Sequence, residues 1–195
     1  MNQSISKTRF MAGVAVLAAI VIVLQTLAGV IHIGPINITL SLVPIIIGAV
    51  LYGPRAGALL GAVFGLVVTF AVISGADPGG NIMLAANPIA TVAICLIKST
   101  LAGYLGGMVA WACKGKLTLG VILASLLVPV INTGIFTLGL VVFFNDLLHQ
   151  WAGGSNAYIF ILTGLIGFNF LVELLIDVIL APIIVNIIRA VRKSH

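Results

Sequence analysis

Lys98 is the one basic residue of nine that falls inside a long apolar run. A charge in hydrocarbon is costly, so such a group faces a cavity or a partner of opposite sign. Two chemistries are open to it. It pairs with Glu173 or stretches its stem toward the interface, or it neutralises an anionic substrate. Glu173 and Asp177 are four residues apart and therefore share a helical face. Glu173 reads either as the partner of Lys98 or as a proton-coupling acid. Asp177 reads as an anchor to Arg55 or Lys114 at the inner surface. Asn132-Thr133-Gly134 interrupts a second apolar run just after Pro129. An amide and a hydroxyl in lipid must find partners, on a neighbouring helix or on a substrate. Asn169 poses the same question in the last run. Asn87, before Pro88, is placed either to cap a helix or to stand at the rim of a site.

Other chemistries lack their residues. The chain has no G-x-x-x-x-G-K-[ST] phosphate loop, no H-E-x-x-H and no G-x-S-x-G, so no catalytic residues are assigned and no ATP hydrolysis is expected from it. His32, His149 and His195 fall in loops or at the terminus, which argues against a metal centre. Cys95 and Cys113 have no ligand-like spacing and read as small packing residues. No cofactor is implied.

The elements that must position these groups are membrane helices. The chain is 62% hydrophobic and 7% charged, with a mean hydropathy of +1.32, whereas a soluble domain carries about 25% charged residues. A bilayer core needs about 20 apolar residues per helix. Six runs meet or approach this, over residues 10–31, 36–52, 56–74, 89–113, 117–144 and 158–191. The second carries Pro44 and the sixth Pro182. The first is longer than the apolar segment of a cleaved leader and ends in no A-x-A site, so it is expected to remain as a helix.

Six crossings put Lys7, Arg9, Arg55, Lys114, Lys116, Arg189, Arg192 and Lys193 on one side, the cytoplasmic side by the positive-inside rule. The net charge of +5 is thereby explained by orientation, not by nucleic-acid binding. The expected fold is an all-α bundle of six transmembrane helices, a single membrane domain over residues 1–195 with both termini cytoplasmic. At about 1.5 Å per residue, Lys98 falls near the midplane and Asn132 and Thr133 in the outer half. On the inward-running sixth helix, Asn169 falls near the middle, Glu173 deeper, and Asp177 near the cytoplasmic interface.

The outer connections, residues 32–35, 75–88 and 145–157, include the two longest, and long loops tend to carry function. Asp77-Pro78-Gly79-Gly80-Asn81 reads as a turn within the second. Gly57, Gly61 and Gly65 line one face of the third helix, and Gly103 and Gly107 repeat the spacing on the fourth, so that helices can approach closely there. Ala15 and Ala19 offer a small-residue face on the first.

Two stretches carry a family resemblance. Ile38-Thr39-Leu40-Ser41-Leu42-Val43-Pro44-Ile45-Ile46-Ile47-Gly48, followed by Tyr52-Gly53-Pro54-Arg55-Ala56-Gly57-Ala58-Leu59-Leu60-Gly61, resembles the second and third helices of S components of energy-coupling factor (ECF) transporters. Pro129-Val130-Ile131-Asn132-Thr133-Gly134-Ile135-Phe136 resembles a fifth-helix motif of part of that family. The resemblance implies a small membrane protein of the bacterial plasma membrane that captures a vitamin or related micronutrient with high affinity. It implies as partners a transmembrane coupling subunit and two cytoplasmic ATPases. The family's Ala-x-x-x-Ala docking motif falls on Ala15 and Ala19. Family pockets lie in the outer half, at depths compatible with Lys98, Asn132, Thr133 and Asn169, with Asn87 near the rim and Glu173 below. One cation in an apolar, amide-lined pocket suits a small carboxylate such as pantothenate. Lipoate, riboflavin and a stand-alone proton-coupled transporter using Glu173 are the alternatives.

Overall fold

A computed structural model describes residues 7–28, 32–33, 36–37, 40–113, 115–153, 156, 159 and 167–193. It is all-helical apart from one minimal ladder. The helices are α1 (Lys7–Ala28), α2 (Leu42–Tyr52), α3 (Pro54–Ile73), α4 (Pro78–Ala86), α5 (Pro88–Ala112), α6 (Leu117–Phe143), α7 (Asn145–Trp151) and α8 (Gly167–Lys193). Five of them, α1, α3, α5, α6 and α8, are long and apolar enough to cross a membrane. The chain is a multi-pass membrane protein.

The second predicted helix is shorter than expected. β1 (His32–Ile33) pairs with β2 (Ile36–Asn37) in a two-residue antiparallel ladder where the helix was to begin. α2 has 11 residues, about 16 Å of rise against a core of about 30 Å. Pro44 sits in its first turn, where its missing N–H breaks no intrahelical bond. Ser41 Oγ donates to Gln25 Oε1 at 2.9 Å near the end of α1. At the other end of α2, Tyr52 meets Phe10 edge to face, with centroids 6.1 Å apart. α2 therefore runs back alongside α1, and despite its length it carries the chain from the level of Gln25 to that of Phe10.

α3 and α5 pack antiparallel at backbone contact. A Cβ on Gly57 would overlap the Gly103 carbonyl oxygen, and one on Gly103 would overlap that of Gly57. Gly61 lies against the Ser99 carbonyl, Gly65 against that of Cys95, and Gly107 against Pro54. The two glycine rows read from the sequence thus meet each other. Glycine at these positions removes the side chains that would hold two helices apart.

The contacts also order the ends. Tyr52 with Phe10, Gly107 with Pro54, Gly120 with Ala110, and Arg189 Nη2 donating to Thr118 Oγ1 at 3.4 Å all lie at one end of the bundle. Arg9, Arg55, Lys116 and Arg189 share that end. Lys114 and His195 lie outside the described residues.

Two of the outer connections are not plain loops. The Asp77–Asn81 stretch, expected to be a turn, starts α4. Asp77 is its N-cap, accepting from the Gly80 N–H at 2.9 Å, and Pro78 occupies the first helical position. Asn81 Nδ2 donates to the Val72 carbonyl at 3.1 Å and ties α4 to the end of α3. Met83 of α4 and Leu148 of α7 are buried with Ala90, Ile94, Leu140 and Phe144 in an apolar cluster over the start of α5 and the end of α6. Asp77→Ala is expected to cost about 1 kcal/mol through loss of the cap. Protease susceptibility of residues 75–88 in the detergent-purified protein should rise; unchanged cleavage would show that packing alone holds α4.

Candidate functional site

The site is built around α5, whose rotation is fixed from behind. Cys95 and Ser99 lie in the glycine-lined contact with α3, and Lys98, between them in sequence, is turned off that contact. It stands ten residues into α5, about 15 Å from its N-terminal end. Its side chain is half-buried, and Nζ lies 4.7 Å from the centroid of the Phe136 ring on α6. A cation held over an aromatic face is stabilised by the ring quadrupole yet keeps its N–H donors for another group. Phe136 packs beneath the outer cluster capped by α4 and α7.

One turn before Phe136 on α6, Asn132 is 8% exposed and its Oδ1 has no hydrogen-bond partner among the described residues. Thr133 is half-buried, and its carbonyl accepts from Thr137 Oγ1 at 2.7 Å. Two further buried groups lack partners among the described residues. They are Ser125 Oγ on α6 and both carboxyl oxygens of Asp177 on α8, each residue being 0% exposed. A buried polar group without a partner costs about 1–3 kcal/mol. Three such groups on two helices that pack together are more than incidental packing defects.

Asp177 was expected at the inner surface, against Arg55 or Lys114. It does not pair with Arg55, and Lys114 lies outside the described residues. Counting along α8 and α6 from the Arg189–Thr118 contact puts Asp177 about 18 Å from that end of the bundle, with Asn132 at about 21 Å and Phe136 at about 27 Å. Its burial was nonetheless readable: Asp177 shares a stripe with Ala181, Ile184 and Ile188, spaced four, seven and eleven residues on, all 0–1% exposed.

The remaining candidates separate. Asn87 caps α5, its Oδ1 accepting from the Ala90 N–H at 3.1 Å while its carbonyl accepts from Thr91 Oγ1 at 2.8 Å. Glu173 is half-buried, one turn before Asp177 on α8. The side chain of Asn169 lies outside the described residues. Ala15 and Ala19 are exposed on α1, which buries only Val21 and Ala28. No group of three or more His, Cys, Asp or Glu that could hold a metal occurs among the described residues. Phe136 and Ser125 escaped the sequence reading because an aromatic and a serine in an apolar helix carry no distinguishing signal there.

The chain matches the model of the family described as ECF transporter, substrate-specific component, over residues 9–185. No curated protein and no solved structure matches it.

Proposed function

The chain belongs to the family of ECF transporter substrate-specific components, and on that premise we propose that it binds a small carboxylate, of the class of pantothenate, from the outer side of the bacterial plasma membrane. The observation that carries this reading is Lys98. It is a cation placed about 15 Å inside a membrane helix, steadied by the Phe136 ring, which stands one helical turn from Asn132, whose amide oxygen has no partner among the described residues. A carboxylate arriving there would exchange water for charge-assisted hydrogen bonds, which are about twice as strong as neutral ones. We assign Asn132 and Thr133, about one turn from Phe136 on α6, to the same site. We assign Asn169 and Glu173 to the same region by their place on α8, and Asn87 to its rim, where its cap keeps the start of α5 in order.

The positive-inside rule puts the end bearing Arg9, Arg55, Lys116 and Arg189 in the cytoplasm, so both termini lie there and the α4–α7 cap faces outward. The energy source is a coupling subunit with two ATPases, since the chain carries no nucleotide motif of its own. We assign docking of the coupling subunit to Ala15 and Ala19. They lie on an open face of α1 that also exposes Val16 and Val23, and small residues admit a partner helix closely.

Two experiments test this reading. Calorimetric titration of the detergent-purified protein with pantothenate, lipoate and riboflavin should show binding of pantothenate. Binding of riboflavin alone, which has no carboxylate, would overturn the assignment of Lys98. For the partner surface, Ala15→Trp with Ala19→Trp should abolish uptake in cells that also make the coupling subunit and ATPases, while leaving binding by the isolated protein unchanged. Uptake by the wild-type chain without those subunits, driven by a proton gradient and lost in Glu173→Gln, would favour a stand-alone transporter.

A further inference from the structure

We infer that the ligand carries hydrogen-bond donors at the end remote from its carboxylate, and that Asp177 and Asn132 receive them. This rests on the reading of Lys98 as the carboxylate partner. Among the described residues, the buried side-chain atoms left without partners are Asn132 Oδ1, both oxygens of Asp177, and Ser125 Oγ. The amide oxygen is an acceptor, the carboxyl keeps at least one acceptor oxygen whether ionised or protonated, and the serine hydroxyl can both donate and accept. Asp177 is the more demanding, because its helix buries it completely on the stripe of Ala181, Ile184 and Ile188. A buried carboxyl with open acceptor oxygens gains when a ligand supplies donors to them.

Helix rise sets these groups at successive depths along the bundle axis. From the level of Phe136, where Lys98 is held, Asn132 lies about 6 Å inward and Asp177 about 9 Å inward. The sequence of chemistries met by a ligand is therefore a cation, then an amide oxygen, then a carboxyl. An acid of matching length presents its carboxylate to Lys98, an N–H in the middle to Asn132, and hydroxyl or further N–H donors to Asp177. An acid ending in an apolar group, as lipoate does, would leave Asp177 without a partner and would be rejected for that reason.

The test compares two ligands that differ only in those donors. The probes are pantothenate and N-(3,3-dimethylbutanoyl)-β-alanine, the same skeleton without its two hydroxyls, titrated into wild-type protein, Asp177→Asn and Lys98→Ala. The expected result is a preference of wild type for pantothenate of at least about tenfold, reduced several-fold in Asp177→Asn, with the deoxy acid bound equally by both. Unliganded Asp177→Asn should melt no lower than wild type, since it loses an uncompensated acid; a merely structural carboxyl would lower the melting temperature instead. Equal wild-type affinity for the two acids, or a preference undiminished in Asp177→Asn, overturns the inference and leaves the carboxylate reading standing if Lys98→Ala still loses both. If neither acid binds wild type, or if Lys98→Ala binds both unchanged, the reading of Lys98 falls and takes this inference with it.

Discussion

Lys98→Ala is expected to lower the affinity for a carboxylate ligand by two to three orders of magnitude with little change in stability. Removing one partner of a buried ion pair costs about 3–5 kcal/mol because the remaining charge is stranded, and each 1.4 kcal/mol is about a tenfold change in affinity. In the unliganded protein the lysine gains its interaction with Phe136, worth about 0.5–2 kcal/mol. Part of that is returned when a half-buried ammonium is no longer held in the membrane. Binding and stability should therefore separate. Calorimetry would show the lost affinity, and a melting curve in detergent would shift by a few degrees at most. Lys98→Arg keeps the charge but replaces a compact ammonium with a planar fork, so it should recover part of the affinity. A Lys98→Ala protein that unfolds but binds normally whenever folded would assign this lysine to the scaffold.

Larger still should be the effect of putting a side chain on the α3–α5 contact. Gly57→Leu or Gly103→Leu is expected to prevent correct folding, and Gly103→Ala to destabilise by about 3 kcal/mol, the upper part of the range for overpacking. The reason lies in what the new atom meets. At Gly57 and Gly103 it is a backbone carbonyl of the facing helix, which cannot change rotamer to make room. At Gly48 or Gly80 the nearest atoms belong to the side chains of Leu60 and Val72, and the cost should be smaller. Gly134, in the same bundle with nothing within 4 Å of an added Cβ, is the control. Gly134→Ala should be neutral or gain up to about 1 kcal/mol of helix stability. The yield of monodisperse protein by size exclusion, followed by melting of whatever is recovered, distinguishes the two sites. Equal recovery of Gly57→Leu and Gly134→Ala would mean that the helices slide apart without penalty.

Much of this architecture was legible because membrane helices announce themselves. The long runs, the basic residues at their ends and the spacing of Gly57, Gly61 and Gly65 follow from composition and period alone. The short elements were not legible. α4 was hidden by two glycines in its first turn, which read as a turn although Asp77-Pro78 is a helix start. α2 was drawn too long because apolarity continues through Ile36 and Ile38 while the backbone pairs in the β1–β2 ladder. The candidate site was half visible. Lys98 and Asn132 stood out as polar residues in apolar runs, whereas Asp177 read as an anchor to a basic residue and is instead buried without a partner among the described residues. What no spacing rule could supply was which polar groups find partners inside the bundle and which do not. That is decided by the packing of helices far apart in sequence.

The carbonyl-to-glycine contact of α3 with α5 also constrains how the chain's length can change. Gly57, Gly61 and Gly65 each answer one position on α5, four residues apart on both sides. One residue inserted between Cys95 and Lys98 would swing the lysine by about 100° around the axis of α5, away from Phe136 and α6. The same insertion between Gly57 and Gly61 would break the matching of every later pair. The connections carrying α4 and α7 hold no such register, so they are where insertions and deletions can accumulate. The membrane core of α3 and α5 works as a fixed-length gauge, and it sets the address of the charge.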